Sequence, residues 1–498
     1  MTNLSFSSRW RTEWAPSGVP RELLAGAVAT FALIPEVIAF SFVAGVDPSV
    51  GLFASFVISV VIAFFGGRPA MVSAAAGSVA LVAAPLVQAH GLGYLLAAGL
   101  LAGVVQVLFG LLKLGVLMRF VSSSVRTGFV NALAVLIFAA QWPHLGGANA
   151  VTWAMLTLGL LLIYGLPRLA TWLSWRALTL IPPPLVCVLL LTLLSTWLGL
   201  PLATVADLGQ LPDSLPFLAL PPVPWDWQTL RTIAVPALAI AFVGLLESVL
   251  TAAVVDELTD TPSDKNRECT GLGLANIAAS CFGGIAGCGM IGQAVGNVKY
   301  GGRGRLSTLF AGVFLLVLMV LLKPWVSQVP VIALVAIMVM VSVETFDWKS
   351  LGALLHHPRL SSAVMLATVV VTIGTHNLAA GVTVGVLLSG VFFAFKVSRM
   401  LQVHCSDDAA TGIRSWQVRG QVFFASADAF IEAFDIRSAG QRKVCIDVSQ
   451  AHFWDITAMA ALDKVVARLR HHGCTVEVLG LQQAGAVLID LPRPERPD

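Results

Sequence analysis

The chain has 498 residues, of which 57% are hydrophobic and 11% are charged, and its mean hydropathy is +0.86. A soluble protein carries about 25% charged residues on its water-facing surface, so this composition excludes a soluble enzyme and points to a bilayer. The formal charge is only +3, and the 30 basic residues form no dense block, so nothing suggests a nucleic-acid partner.

In chain order, a tail bearing Arg9, Arg11, Arg21 and Glu22 precedes a first apolar run without a clear cleavage site. That run is expected to remain as a membrane span. A span takes about 20 apolar residues, or about 27 with a turn, so residues 20–400 provide about fourteen crossings. Charged or Pro/Gly-rich breaks at 45–47, 66–69, 91–93, 113–119, 142–147, 168–176, 200–231, 256–268, 283–289, 299–305, 323–330, 347–359 and 376–381 agree with that number. Basic residues gather at alternate breaks (Arg68; Lys113 and Arg119; Arg168 and Arg176; Lys265 and Arg267; Lys299, Arg303 and Arg305; Lys349 and Arg359). The long break after residue 200 holds Asp207, Asp213 and Asp226 before its first basic residue, Arg231. The positive-inside rule therefore places both termini in the cytoplasm.

Beyond Lys396 and Arg399 the composition turns polar. Residues 403–498 hold strand-like runs at 417–426, 443–448 and 475–481 and an amphipathic stretch at 457–472. The order strand, strand, helix, strand predicts a small cytoplasmic α/β domain. Seven cysteines, Cys187, Cys269, Cys281, Cys288, Cys405, Cys445 and Cys474, form no C-x-x-C pair and no cluster with histidine. They read as packing residues, and neither a disulfide framework, a metal nor any other cofactor is expected.

Two features of the first half recur in the second. Pro35-Glu36 interrupts the first apolar run and Glu247-Ser248 interrupts the eighth, 211 residues later if the acids are matched; the small-residue string 73–78 opens the third segment and 287–292 opens the tenth, 214 residues later. Seven spans per repeat put the two copies in opposite orientations, the pattern of an inverted-repeat transporter. A helix that begins in mid-membrane leaves its first N–H groups and its positive dipole end free, and small residues there let an anion approach. Taken singly, each string also reads as a close helix-packing surface.

The stretch NRECTGLGLANIAASCFGGIAGCGMIGQAVGNVKYGGRGRLS at 266–307 closely resembles the sulfate permease family, whose animal members form solute carrier family 26. So do IPEVIAFSFVAGVDPSVGLFASF at 34–56, TGFVNALAVLIFAAQ at 127–141, AIAFVGLLESVLTAAVVDELT at 239–259 and FWDITAMAALDKVV at 453–466, the last within a tail similar to the family's STAS domain. The resemblance implies a polytopic α-helical membrane protein of fourteen transmembrane segments in a 7+7 inverted repeat, followed by a cytoplasmic STAS domain. It divides the chain into an N-terminal segment at 1–20, a transporter at 21–402 and the STAS domain at 403–498. Segments 1–4 and 8–11 form a core that moves like an elevator against a gate of segments 5–7 and 12–14.

Family members move sulfate, chloride, bicarbonate, oxalate or dicarboxylates, and the chain is similar in particular to bacterial proton-coupled fumarate symporters of the family. Implied with these are a homodimer in the bacterial inner membrane and a cytoplasmic partner for the STAS domain. By position, Glu36 and Phe40 of the first segment, Ala76, Gly77 and Ser78 of the third, and Gly292 and Gln293 of the tenth line the anion site. Many animal members carry an aromatic residue where Gly77 stands and a serine-arginine pair where Gly292-Gln293 stands. A larger cavity without a fixed positive charge is therefore expected, suited to a bulkier, protonatable anion such as a dicarboxylate.

Glu36 lies about fourteen residues into the first span, near the midplane, where a carboxylate is expensive and functional by default. A proton on Glu36 offsets an anion's charge, and proton coupling follows from that; its alternative is a protonated acid that only holds a helix. Glu247 and Ser248 either share the proton, orient the tenth-segment backbone, or act as interhelical glue. Asn266, Arg267 and Glu268 read as caps and ion pairs, Arg126 as a snorkelling interfacial residue, and His356, His357 and His376 as interfacial rather than metal-binding. Asp455-Ile456-Thr457 precedes a helix; soluble STAS relatives place a phosphorylatable Ser/Thr near there, and a helix N-cap is the preferred reading. Competing functions are an exchanger or uniporter for bicarbonate, sulfate or chloride, and a channel or sensor that works through its STAS domain.

Overall fold

A computed structural model describes residues 13–115, 121–145, 149–172, 183–208, 217–356, 359–375, 377–407, 413–435 and 443–481. Arg9, Arg11, Arg119, Arg176, Asp213, His357, Pro358 and His376 lie outside these residues. The chain forms two compact units, Met1–Val386 and Leu387–Asp498.

The first unit is built from α1 (Val19–Ala44), α2 (Pro48–Phe65), β1 (Ser73–Ala75), α3 (Gly77–His90), α4 (Leu92–Leu111), α5 (Ser123–Ala139), α6 (Ala150–Trp172), α7 (Pro183–Leu198), α8 (Trp227–Thr259), α9 (Lys265–Cys281), β2 (Gly287–Gly289), α10 (Ile291–Lys299), α11 (Arg305–Val326), α12 (Val331–Thr345), α13 (Arg359–Thr375) and the start of α14 (Leu378–Ser398). Local chemistry sets the boundaries. Gly45 ends α1 in the left-handed conformation at φ 75°, and its N–H returns to the α1 carbonyls, while Pro48 opens α2 where a missing N–H costs nothing. Seven described helices, among them α1, α2, α4 and the 33-residue α8, are long and apolar enough to cross a bilayer, and α3, α7, α12 and α13 are shorter apolar helices. The succession α1–α14 is consistent with fourteen membrane segments. The repeat is also visible in the elements: β1 and β2 start 214 residues apart (73 and 287), as do α3 and α10 (77 and 291).

Within this unit α4 and α2 pack on α9, α11 packs on α1 and α2, and α8 packs on α4. Separately, α5 packs on α13, and α12 packs on α5 and α6. The crossing of α4 and α9 needs residues without side chains, because a Cβ at Gly103 falls 2.6 Å from the Gly273 carbonyl oxygen and one at Gly273 falls 2.5 Å from that of Gly103.

The scarcity of charge does not mean that no cation is buried: Arg68 and Arg305 are 6% and 3% exposed. Both serve helix ends. Arg305 donates to the carbonyls of Ala63 and Gly66 (3.0 and 2.8 Å) at the end of α2, and Arg68 pairs with Asp256 at 3.1 Å. Glu268 accepts from the Gly67 and Arg68 amides (2.8 and 3.0 Å), Asn266 accepts from the Gly115 amide, and Arg267 donates to the carbonyls of Phe64 and Phe65. These three residues therefore act structurally, while the N-cap of α9 is Asp264.

The second unit carries a four-stranded sheet in the order β3-β4-β5-β6: β3 (Gln402–Asp407), β4 (Arg414–Val422), β5 (Lys443–Phe453) and β6 (Thr475–Leu479). The first pair is antiparallel and the others are parallel. α15 (Ala427–Glu432) and α16 (Ile456–His471) enclose a core of Trp416, Phe430, Phe434, Val444, Ile446, Phe453, Leu462 and Val465. Asp455 is the N-cap of α16: one oxygen accepts from the Ala458 amide and the other from the Phe424 amide, both at 2.8 Å. The expected strand, strand, helix, strand order lacks β3 and α15. β3 has almost no apolar alternation because it is an exposed edge strand, and Cys405 on it is exposed rather than packed.

Candidate functional site

The site begins with a two-stranded pairing inside the helical unit. β1 and β2 run antiparallel, with Ser73 opposite Gly289, Ala74 opposite Cys288 and Ala75 opposite Gly287. Such a pair leaves backbone groups on both outer edges, and at membrane depth each must find a partner in the protein. The Ser59 hydroxyl donates to the Ser73 carbonyl (2.8 Å), and Ser55 accepts from the Ala75 amide (3.2 Å). Across the pair, Asn276 accepts from the Gly287 amide (2.9 Å) and donates to the Gly287 carbonyl (3.1 Å), Ser248 accepts from the Gly289 amide (2.8 Å), and Thr251 donates to the Gly289 carbonyl (2.9 Å). Gln106 accepts a further bond from Asn276 at 2.8 Å.

Each strand runs straight into a helix, α3 after Ala76 and α10 after Met290. Neither of these N-cap positions supplies a side-chain cap. The first amides of both helices are thus left as donors, at ends that each carry about +0.5 charge. Gly77 makes room for an aromatic ring, since a Cβ there falls 2.6 Å from the Phe40 ring, whereas a Cβ at Gly292 meets nothing within 4 Å.

Both helix starts open on a cavity of about 520 Å³. Its walls include every residue expected of the site: Glu36, Phe40, Ala76, Gly77, Ser78, Glu247, Gly292 and Gln293. Glu36 and Gln293 lie together in the cavity lining. Glu247 accepts from the Ser78 hydroxyl and, at 3.0 Å, from the Cys288 thiol, so Glu247 bridges α8 to the half-helix α3 and to β2, while its neighbour Ser248 orients the β2 backbone. Phe129, Leu133 and Ile137 of α5 and Met340 and Glu344 of α12 form the facing wall. No lysine or arginine lines the cavity among the described residues. Chemically this is a pair of polarised helix ends beside carboxyl groups able to carry protons.

Arg126 is exposed and lines a separate recess of about 480 Å³ with Lys265 and Asn266. Among the described residues no cluster of His, Cys, Asp and Glu is placed to hold a metal.

The sulfate permease family profile matches residues 20–368, and the STAS domain profile matches residues 408–491. The chain belongs to the sulfate permease family. It is 48% identical over 471 residues to the Bacillus subtilis (strain 168) protein named "Putative sulfate transporter YbaR", covering 95% of this chain and 96% of that one. The transmembrane domain of the cyanobacterial bicarbonate transporter BicA superposes with a TM-score of 0.64 at 27% identity, covering 72% of this chain and 97% of that one. The structure titled as that of SLC26A9 shares the fold, with a TM-score of 0.81 at 16% identity over 98% of this chain and 89% of that one. This sulfate permease family member is therefore a polytopic membrane anion transporter with a C-terminal STAS domain, and not an enzyme.

Two groups of residues in this family member were not singled out from the sequence. Ser55, Ser59, Gln106, Thr251 and Asn276 are buried and hold the strands; the 55/59 spacing puts two hydroxyls on one helix face, which is the only hint of it. Glu344 lies three residues before the Asp347 break and reads as part of that boundary, yet the helix brings it to the cavity.

Proposed function

We propose that this transporter is a proton-coupled symporter of a small anion, with a dicarboxylate such as fumarate as the leading substrate class. The observation that supports this reading is a cavity combining two uncapped helix starts, Glu36 and Glu247, with no lysine or arginine in its lining. An anion entering a water-poor site needs compensating charge, and beyond the helix ends only protons on the carboxyl groups provide it. Gly292, which leaves open space, favours an anion larger than chloride.

In this reading the core segments, which carry β1, β2, α3 and α10, move like an elevator against the gate segments, which contribute α5 and α12. The protein works as a homodimer in the bacterial inner membrane with both termini cytoplasmic, and its STAS domain meets a cytoplasmic partner. A second reading, an exchanger or uniporter for sulfate or bicarbonate, draws on the names of YbaR and BicA.

Uptake into proteoliposomes with an anion panel, with and without an inward proton gradient, separates the two. The symport reading expects fumarate-class anions to accumulate only with the gradient and expects Glu36→Gln to remove that dependence. Equal accumulation of the best substrate without the gradient, in wild type and in Glu36→Gln alike, sinks it.

A further inference from the structure

Glu344 is a third carboxylate in the cavity wall, and the only one contributed from α12. Its placement has an electrostatic cost that no ion pair offsets among the described residues. It occupies the last turn of α12, next to the terminal residue Thr345, where the helix dipole is negative and disfavours an acid. It is exposed and makes no ion pair among the described residues. Glu36 of α1 lines the same cavity.

None of the other titratable groups on elements packed against α12 forms an ion pair with Glu344 among the described residues. On α6, Arg168 is engaged with the Tyr164 carbonyl; on α7, Cys187 is buried; on α5, Arg126 lines the neighbouring recess; His144 lies on the short helix Trp142–Leu145; on α1, Arg21 and Glu22 lie at the far end of the helix from Glu36. Asp347 follows α12 and caps the Lys349 amide. No cation among the cavity-lining residues neutralises Glu344.

We propose that Glu344 is a specificity-determining residue that selects anions by charge, disfavouring a dianion relative to a monoanion of the same shape as it enters the cavity. The proposal rests on the reading of the cavity as the anion site. The residue repels in proportion to ligand charge. At a separation of roughly 10 Å and an effective dielectric constant of about 20–40, one unit of ligand charge changes relative entry by about 4- to 17-fold. A carboxylate in this position therefore favours substrate that has already taken up a proton, and it reaches the cavity from the wall opposite the two half-helices.

The test compares initial uptake rates for anions of similar shape, fumarate against monomethyl fumarate, and also sulfate against the tetrahedral monoanion perchlorate, so that the inorganic-anion reading is covered too. Full-length protein in proteoliposomes is used at fixed pH. Glu344→Gln is expected to raise the dianion-to-monoanion ratio by about 4- to 17-fold, and Glu344→Asp to keep the wild-type ratio. In wild type the ratio is expected to rise with ionic strength set by an impermeant salt, because screening weakens the repulsion. An unchanged ratio in Glu344→Gln, or an equal shift in Glu344→Asp, overturns the proposal. If Glu344→Gln does not reach the membrane, a wild-type ratio that is flat in ionic strength does so instead. Gly292→Leu provides the control for the site itself, since its side chain enters open space. Normal transport by Gly292→Leu removes the cavity reading, whereas lost transport there with an unchanged ratio in Glu344→Gln removes only the role of Glu344.

Discussion

The half-helix site depends on Asn276, and truncating it is the sharpest test of how the site is held. Asn276 is fully buried and its amide makes three bonds, at 2.9 and 3.1 Å to the Gly287 backbone and at 2.8 Å to Gln106. Asn276→Ala leaves the Gly287 N–H, the Gly287 carbonyl oxygen and the Gln106 carbonyl oxygen buried without that partner. Each stranded group costs about 1–3 kcal/mol, so a loss of about 3–9 kcal/mol is expected, concentrated at the strand that positions α10. Thr372→Val is the matched control, because Thr372 is equally buried but donates only to the Thr368 carbonyl, away from the cavity. Thermal unfolding in detergent micelles, with and without added anion, and uptake into proteoliposomes are read together. Asn276→Ala is expected to lower the apparent Tm, to lose the extra stability conferred by the anion, and to slow uptake, whereas Thr372→Val keeps anion-dependent stabilisation. A wild-type Tm and wild-type uptake in Asn276→Ala refute the argument, because β2 is then held by β1, Ser248 and Thr251 without Asn276.

Other substitutions probe separate parts of the same account. Gln293→Arg places a fixed cation in the cavity lining with a side chain little longer than the one it replaces, and its uptake is expected to become independent of the proton gradient; gradient-dependent uptake at the wild-type level contradicts this. Phe453→Ala in the second unit removes a fully buried ring that packs edge-on against Phe430 and is expected to destabilise that unit by about 3–5 kcal/mol, measured by limited proteolysis and thermal unfolding. Asp226 caps α8 through the Thr229 amide at 2.7 Å, and that bond, with the Thr229 hydroxyl, holds its carboxyl below the usual carboxylate range. With a lowered folded-state value, its contribution is complete above the ordinary carboxylate range and is lost as pH falls through the lowered value. The Tm gap between wild type and Asp226→Ala is therefore expected to be constant above about pH 5 and to close on acidification.

How much of this could be read from the sequence varies with the kind of signal. The helical membrane class was legible because apolar length is a one-dimensional property, and the two small-residue strings were legible because their offset repeats. What escaped were contacts between distant parts of the chain. Ser55 and Ser59 look like ordinary small helix residues until β1 lies beside them, and Asn276 looks like one more polar residue in a modestly apolar helix until Gly287 is found beside it. Glu344 reads as a boundary acid because sequence distance to Asp347 is visible and spatial distance to Glu36 is not. Cys405 and β3 show the opposite error: a strand on a sheet edge needs no apolar alternation, so its residues carry no pattern to read.

The distribution of charge leads to a final, quantitative expectation for the symport reading. The buried cations Arg68 and Arg305 are committed to helix ends and an ion pair, so they are unavailable to the cavity. The two helix starts together supply about one positive charge, enough for a monoanion or for a dianion that has taken up one proton. A dianion carried with one proton moves one net negative charge per cycle, whereas two protons make the cycle neutral. Because the lining offers no cation to stand in for the first proton, and the helix ends stand in for the second, one proton per dianion is expected. Fumarate uptake should then quicken when a potassium diffusion potential makes the proteoliposome interior positive, and slow when it makes the interior negative. A rate that does not respond to that potential means that both Glu36 and Glu247 carry protons with each anion, and that the helix ends contribute less than their dipoles suggest.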